Sequence, residues 1–173
     1  MAALKIILII FGILVFSIFV LLVLAKTVFS QKVIADAEAG TPSSKNKILV
    51  ASQGSDFKKQ LVDKLVNSLK NQSIYIKVTD VTRLSTVDLE GWNAIVIINT
   101  CEGGIMQKDV SNFLDNNKDI NKVIVLTTSG SGVWQPKDIK IDSISSASRK
   151  QDINKINEYL YNKINLILKK TNS

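Results

Sequence analysis

One stretch of this sequence, residues 47–70, constrains the fold more than any other. It opens with four consecutive apolar residues, 48–51, which is typical of a strand covered on both faces in a parallel sheet. From Phe57 to Leu69, apolar residues recur at steps of three and four, which places them on one face of a helix. Between them, residues 52–56 are small or polar. Backbone N–H groups at a helix start attract anions, so the stretch predicts a strand, a phosphate-binding turn and a helix.

The same alternation of strand and helix patterns continues along the chain. Further strands are predicted at residues 74–81, 94–98, 123–126 and 139–144. The first of these alternates apolar with polar residues, which is typical of a half-exposed strand near a sheet edge. Five strands that alternate with helices predict an α/β fold: a five-stranded parallel, doubly wound sheet of order 2-1-3-4-5, with helices on both faces.

Ligands in such sheets bind beyond the carboxyl ends of the strands, where the strand order reverses. That point lies between the first and third strands. Five of the eight glycines lie in the three loops that would meet there: Gly54, Gly103, Gly104, Gly130 and Gly132. Tight turns require some of these glycines in any case. Their gathering at one edge nevertheless predicts a site for a flat anionic ligand.

The N-terminal region contains a long apolar run, residues 6–25, interrupted only by Gly12 and Ser17. At about 1.5 Å per residue, a helix of this length spans a hydrocarbon core of roughly 30 Å. A cleaved signal peptide is the alternative, because the alanines in residues 35–39 resemble a cleavage site. The apolar run is longer than a usual signal core of about 7–15 residues, which favours an uncleaved anchor.

The predicted organisation has five parts. They are an N-terminal tail (1–5), a single-pass transmembrane anchor in the lipid bilayer (6–25), a linker (26–46), a globular domain (47–170) and a C-terminal tail (171–173). A small excess of lysines after the anchor favours a cell-membrane protein whose globular domain is cytoplasmic.

Charge and residue types exclude several functions. The net charge of +7 favours an anionic membrane surface or an acidic protein as partner. Nucleic acid is not expected, because no recognisable binding module is present. The sequence contains no histidine, which excludes Ser/His/Asp and Cys/His catalysis and removes the commonest metal ligand, so no metal site is predicted. The single cysteine, Cys101, excludes an internal disulfide.

Three segments of the globular domain resemble the flavodoxin family. Residues 52–56 lie where flavodoxins have a Thr/Ser-x-Thr-Gly-x-Thr phosphate loop. Residues 100–104 and the helix after them are similar to the third-strand loop of flavodoxins and of menaquinone-dependent protoporphyrinogen oxidases, and residues 127–134 occupy the position of the third flavin loop. The resemblance implies noncovalent binding of FMN, which would supply the redox chemistry. The implied FMN-binding residues are Ser52, Gln53, Gly54, Ser55, Thr100, Cys101, Glu102, Gly103, Gly104, Thr128, Ser129, Gly130, Ser131, Gly132 and Trp134.

The sequence departs from the family pattern at three points. Gln53 and Asp56 replace threonines of the phosphate loop, and a carboxylate at the helix start repels a phosphate. Cys101 stands where many relatives have a tyrosine that stacks on the flavin. The domain is basic, whereas flavodoxins are usually acidic.

Each of these residues also has a structural interpretation. Ser52, Gly54 and Ser55 suit a turn and a helix cap, and Asp56 suits a cap. Cys101 suits a half-buried strand end, and Trp134 a loop aromatic that folds back onto the core.

Two functions follow from these observations and stay open. The first is a membrane-anchored FMN protein that transfers electrons to or from a redox partner at the membrane, where the anchor raises the partner's effective concentration. The second is a degenerate flavodoxin-like domain without cofactor that acts as a membrane-tethered protein-binding module. A quinone-linked oxidoreductase is a third interpretation. Enzymatic activity therefore stays open, and a redox carrier is favoured over an enzyme that converts a substrate.

Overall fold

The computed structural model describes residues 2–29, 31–117, 120–136 and 141–171, which form parts of two compact units, Met1–Gln31 and Lys32–Ser173. The first unit contains one helix, α1 (Ala2–Phe29). Its segment Lys5–Leu24 has a mean hydropathy of 3.4 and buries none of its length within the protein. By length and composition α1 could therefore cross a membrane, and a secretory signal sequence would share these two properties.

The second unit is a mixed α/β domain. Its strands are β1 (Ala37–Ala39), β2 (Asn46–Ser52), β3 (Ile74–Asp80), β4 (Ala94–Glu102), β5 (Ile105–Met106), β6 (Val123–Thr128) and β7 (Asp142–Ser146). Its helices are α2 (Asp56–Leu69), α3 (Lys108–Asn116) and α4 (Ile153–Thr171), with 3-10 helices at Val81–Thr86 and Lys150–Asp152.

The central sheet has the predicted topology. Strands β2, β3, β4, β6 and β7 are parallel and lie in the order β3-β2-β4-β6-β7, which is the 2-1-3-4-5 order of flavodoxin-like folds. The short β1 pairs antiparallel with β3 at one edge, and β5 pairs with the end of β4. The prediction of a parallel, doubly wound sheet is confirmed.

Two hydrophobic layers cover the two faces of this sheet. Successive residues of β2 belong to the two layers in turn. Ile48 and Val50 pack with α2 and α4, whereas Leu49 and Ala51 pack with α3 and the first 3-10 helix. Continuous apolar runs therefore arise because both faces of the central strands are buried.

Residues 32–39, which we call the strap, lie within the segment predicted to be a linker. The strap ends in β1, where Ala37 pairs with Val78 and Ala39 with Ile76. Strand β3 is consequently not the edge of the sheet. It is buried rather than half-exposed, and the ring of Tyr75 stacks on Trp92 with 6.1 Å between centroids.

Two further strands differ in extent from the prediction. Strand β4 continues to Glu102, so Thr100 and Cys101 belong to the strand rather than to a loop. The fifth parallel strand was predicted at residues 139–144 and is observed at Asp142–Ser146. Residues 137–140 lie outside the described part of the chain.

Candidate functional site

The strap covers the turn that was predicted to bind phosphate. The N–H of Gly54 donates to the carbonyl oxygen of Lys32 at 2.7 Å, and the N–H of Lys32 donates to the carbonyl oxygen of Gly54 at 3.1 Å. A Cβ atom on Gly54 would lie 2.5 Å from the Lys32 oxygen and 3.0 Å from Cγ2 of Ile34. The backbone of Lys32 therefore takes the close approach to Gly54 that a phosphate would require.

Two side chains hold the rest of the strap on the sheet. The carboxylate of Asp80 accepts a hydrogen bond from the N–H of Ile34 at 2.9 Å. The carboxylate of Asp36 accepts one from the hydroxyl of Thr79 at 2.7 Å and lies 3.7 Å from Nε of Arg83. The strap is thus bound along its length to the carboxyl half of β3 and to the residues that follow it.

The other polar groups of the turn bond mainly within the protein. Ser52 is buried, and its hydroxyl donates to the carbonyl oxygen of Gln53 at 2.9 Å. The N–H of Gln53 donates to Ile98 at 3.0 Å. Ser55 is the N-cap of α2 and accepts from the N–H of Lys58 at 3.3 Å. The capping role suggested for Asp56 thus belongs to Ser55, and Asp56 is the first helical residue.

Lys58 lies at the centre of the site, although the sequence interpretation did not include it. Its side chain is only 1% exposed, and its ammonium group donates to the hydroxyl of Thr100 at 2.5 Å. Burial lowers its pKa to about 8, while the nearby carboxylate of Glu102 acts in the opposite direction. A cation is therefore held in the interior beside the ends of β2 and β4.

Lys58 could have been found from the helix pattern. It precedes Val62 by four positions and Leu65 by seven, so it lies on the apolar stripe of α2. A lysine on a stripe that packs against a sheet has to bury at least its aliphatic part. The strap, in contrast, had no comparable signal.

The second predicted segment forms a β-hairpin rather than an open loop. Gly103 and Gly104 make its turn with φ of +58° and +82°, a left-handed conformation that favours glycine. Cys101 is buried in β4, and burial raises the pKa of its thiol. The thiol therefore stays protonated at neutral pH, unlike a reactive thiolate. The Glu102 side chain is exposed.

The third predicted segment, residues 127–134, begins inside β6, because Thr127 and Thr128 belong to that strand rather than to a loop. The rest of the segment follows β6 and packs beside β7. The N–H of Ser129 donates to Ser146 at 3.0 Å. A Cβ atom on Gly132 would lie 2.7 Å from the nitrogen of Ala147, so this turn is in close contact with the end of β7. The half-buried Trp134 accepts a hydrogen bond from Ser145 through its carbonyl oxygen. Gly130 and Ser131 are exposed.

The three segments meet at their bases, but only the first of them, residues 52–56, also lines the observed cavity. The side-chain oxygen of Gln53 accepts from the N–H of Thr100 at 2.6 Å, and the hydroxyl groups of Thr100 and Thr128 are 2.9 Å apart. A cavity of about 720 Å³ lies instead between the strap and α2. Among its described lining residues, none comes from the hairpin or from the segment after β6.

These contacts test whether FMN suits the predicted residues. A phosphate needs N–H groups of the turn that are free to donate, yet the N–H groups of Gln53 and Gly54 already donate to carbonyl oxygens. The hydroxyl of Ser52 likewise donates to a carbonyl oxygen, whereas that of Ser55 accepts from the N–H of Lys58. The residues at 52–55 therefore do not fit an FMN phosphate bound as the resemblance implies.

The solved structures that are similar to this chain share little sequence with it. No protein-family model matches the sequence, and no curated protein matches it significantly. Similar solved structures include an archaeal flavodoxin, with 12% identity, a TM-score of 0.49, and coverage of 70% of this chain and 98% of the flavodoxin. A short-chain flavodoxin associated with a bacterial microcompartment has 15% identity, a TM-score of 0.48 and coverage of 74% and 99%.

A third similar structure is a flavo di-iron protein from Thermotoga maritima, with 14% identity and a TM-score of 0.46. The match covers 73% of this chain and 37% of the di-iron protein, so this chain spans little more than a third of that protein's length. The flavodoxin-like fold itself follows from the observed strand order and parallel connections.

Proposed function

We propose that this chain is a membrane-tethered binding module with a flavodoxin-like domain that works without FMN. The observation that carries the proposal is the pairing of Lys32 with Gly54, because the protein's own backbone lies against the turn at which the resemblance implies a phosphate. The engaged N–H of Gln53 and the carboxylate of Asp56 at the helix start support it further.

The proposed partner surface is the carboxyl edge of the sheet. Ile105, in the hairpin after β4, is 74% exposed, and Val133, in the segment after β6, is 78% exposed. Apolar side chains at loop tips become strong contacts when a protein partner removes them from water. The basic character of the chain favours an acidic partner.

In this proposal α1 is the anchor. An uncleaved helix in the cell membrane would keep the domain beside membrane-bound partners and raise their effective concentration. The lysine distribution at the ends of the apolar segment supports a cytoplasmic domain.

A second candidate function is electron transfer by bound FMN. The observation that favours it is the convergence of Gln53, Thr100 and Thr128 through hydrogen bonds at the point where the strand order reverses. If the chain binds FMN, the predicted FMN-binding residues, which lie in three segments between Ser52 and Trp134, would have to rearrange to receive the phosphate.

The absorption spectrum separates the two candidates. We expect the full chain, purified in lipid nanodiscs, to be colourless and to stay so after incubation with excess FMN and removal of free flavin. The control is empty nanodiscs carried through the same steps. Stoichiometric yellow flavin that remains with the protein would overturn the proposed function in favour of the FMN protein.

The proposed partner surface can be tested by substitution. Ile105→Asp combined with Val133→Asp places two charges on the carboxyl edge and should abolish capture of specific partners from solubilised membranes. Leu166→Asp is the matched control, because Leu166 is an exposed apolar residue on α4, away from that edge. Equal recovery of partners by both variants would contradict this assignment.

A further inference from the structure

The cavity between the strap and α2 has the properties of a small-molecule site. Its volume of about 720 Å³ falls within the range of ligand sites in proteins. All its lining residues belong to the unit Lys32–Ser173. The strap, the turn at residues 52–55 and α2 line it, together with Val78 of β3.

The lining of the cavity extends along α2 from Asp56 to Asn67. Its lining residues on this helix include Asp56, Lys59, Val62 and Val66, which recur at steps of three and four and so form one stripe. A stripe of this length covers about three turns, or roughly 16 Å along the helix axis. An extended acyl chain would fit this shape better than a compact ring system.

Apolar side chains line the middle of the cavity. Val62 and Val78 are buried beneath it, and Ile34, Ala39 and Val66 are partly exposed hydrophobic residues packed against the core. A ligand with an apolar chain would remove these partly exposed side chains from water, which is the main source of affinity in such sites.

Polar groups line the cavity near the start of α2 and also farther along it, at Glu38, Asp63 and Asn67. Near the start of α2, Lys32 and Lys59 contribute cations, and the first turn of the helix contributes the positive end of its dipole. Lys59 is paired with Asp63 at 2.6 Å, and the lining carboxylates of Asp56 and Glu38 oppose an anion, so a negative group would have to lie beside Lys32.

We propose that this cavity binds a free fatty acid of medium length, with its chain along Val62, Val66 and Val78 and its carboxylate beside Lys32. The proposal goes beyond the proposed function, because it concerns a small molecule at a place separate from Ile105 and Val133. Either assignment can fail without the other.

The test is photolabelling of the full chain in lipid nanodiscs with a dodecanoic acid that carries a diazirine at its chain end. We expect label on peptides covering residues 32–39 and 56–67, displaced by excess dodecanoate. Val66→Phe should reduce it by about tenfold, because the ring fills space that the chain needs. Lys64→Phe is the matched control, since Lys64 is an exposed residue of α2 that does not line the cavity.

Two further variants distinguish loss of binding from misfolding and test the contact between Lys32 and the carboxylate of the ligand. Ala39→Leu fills the cavity from the strap and should also reduce labelling. Lys32→Glu should weaken labelling by the acid by about threefold, as expected for one exposed charge, and leave labelling by the matching diazirine alcohol unchanged. Equal labelling of the 56–67 peptide in wild type and in both filling variants, or label confined to α1, would overturn the proposal.

Discussion

Replacement of Lys58 by methionine is expected to stabilise the globular unit at pH 7 by about 1–3 kcal/mol. The side chain of Lys58 is 1% exposed, and burial lowers the pKa of its ammonium group to about 8, so the folded protein at pH 7 holds this charge at a cost. Methionine keeps a similar length and fills the same space without a charge. Denaturant unfolding followed by Trp92 and Trp134 fluorescence measures the change, since both residues lie in this unit.

The same substitution should also change the pH dependence of stability. Lys58 has a pKa of about 8 in the folded state against an ordinary value of 10.5, so the unfolded chain binds more protons between these values. The wild-type free energy of unfolding should therefore gain roughly 3 kcal/mol from Lys58 as the pH rises from 8 to 10.5. The difference between wild type and Lys58→Met isolates this gain, because the raised pKa values of Tyr75 and Tyr159 affect both proteins.

Lys59→Met is the control for this experiment. Lys59 is the next residue, is exposed and forms an ion pair with Asp63, so its loss should change stability by less than about 1 kcal/mol. A destabilised Lys58→Met protein would show that the interior compensates the ammonium charge fully and would refute the prediction.

Gly54→Ala is expected to displace the strap and to reduce stability by about 1–3 kcal/mol. Gly54 does not have a left-handed backbone, so alanine suits its conformation. The new Cβ atom would lie 2.5 Å from the carbonyl oxygen of Lys32, and backbone atoms at that distance have to move apart. The two hydrogen bonds between Lys32 and Gly54 should then weaken, which amide hydrogen exchange at Lys32 and Ile34 would detect as faster exchange.

Gly130→Ala serves as the comparison for the strap experiment. Nothing lies within 4 Å of a Cβ atom at Gly130, so alanine there should leave stability and exchange unchanged. Unaltered protection of Lys32 and Ile34 in Gly54→Ala would mean that the strap does not depend on this contact.

The fold could be predicted because its main signals are local. Residues 48–51 and 94–98 are uninterrupted apolar runs because β2 and β4 are covered on both faces, and α2 shows its buried stripe in the spacing of its apolar residues. Alternation of such elements leaves few topologies for a parallel sheet with right-handed connections.

Less of the candidate site could be predicted from local sequence patterns. The turn was expected at residues 52–56 and is observed at 53–55, between β2 and α2. Its N–H groups bond to Lys32 and Ile98, which no local pattern indicates. The strap contains only small and charged residues in β1, so its sequence resembles a linker. Its pairing with β3 arises from backbone hydrogen bonds, which any residue except proline can make.

Spacing of apolar residues was sufficient for the doubly wound sheet, the faces of its helices and a helix long enough to cross a membrane, because burial imposes a period on each element. Tertiary packing decided that the strap seals the Gly54 turn, that Lys58 is buried and that a cavity opens beside α2. The strap contact and the cavity depend on residues far apart in the chain and leave no periodic trace, whereas for Lys58 the helix period indicates the buried face and only packing places its ammonium group beside Thr100.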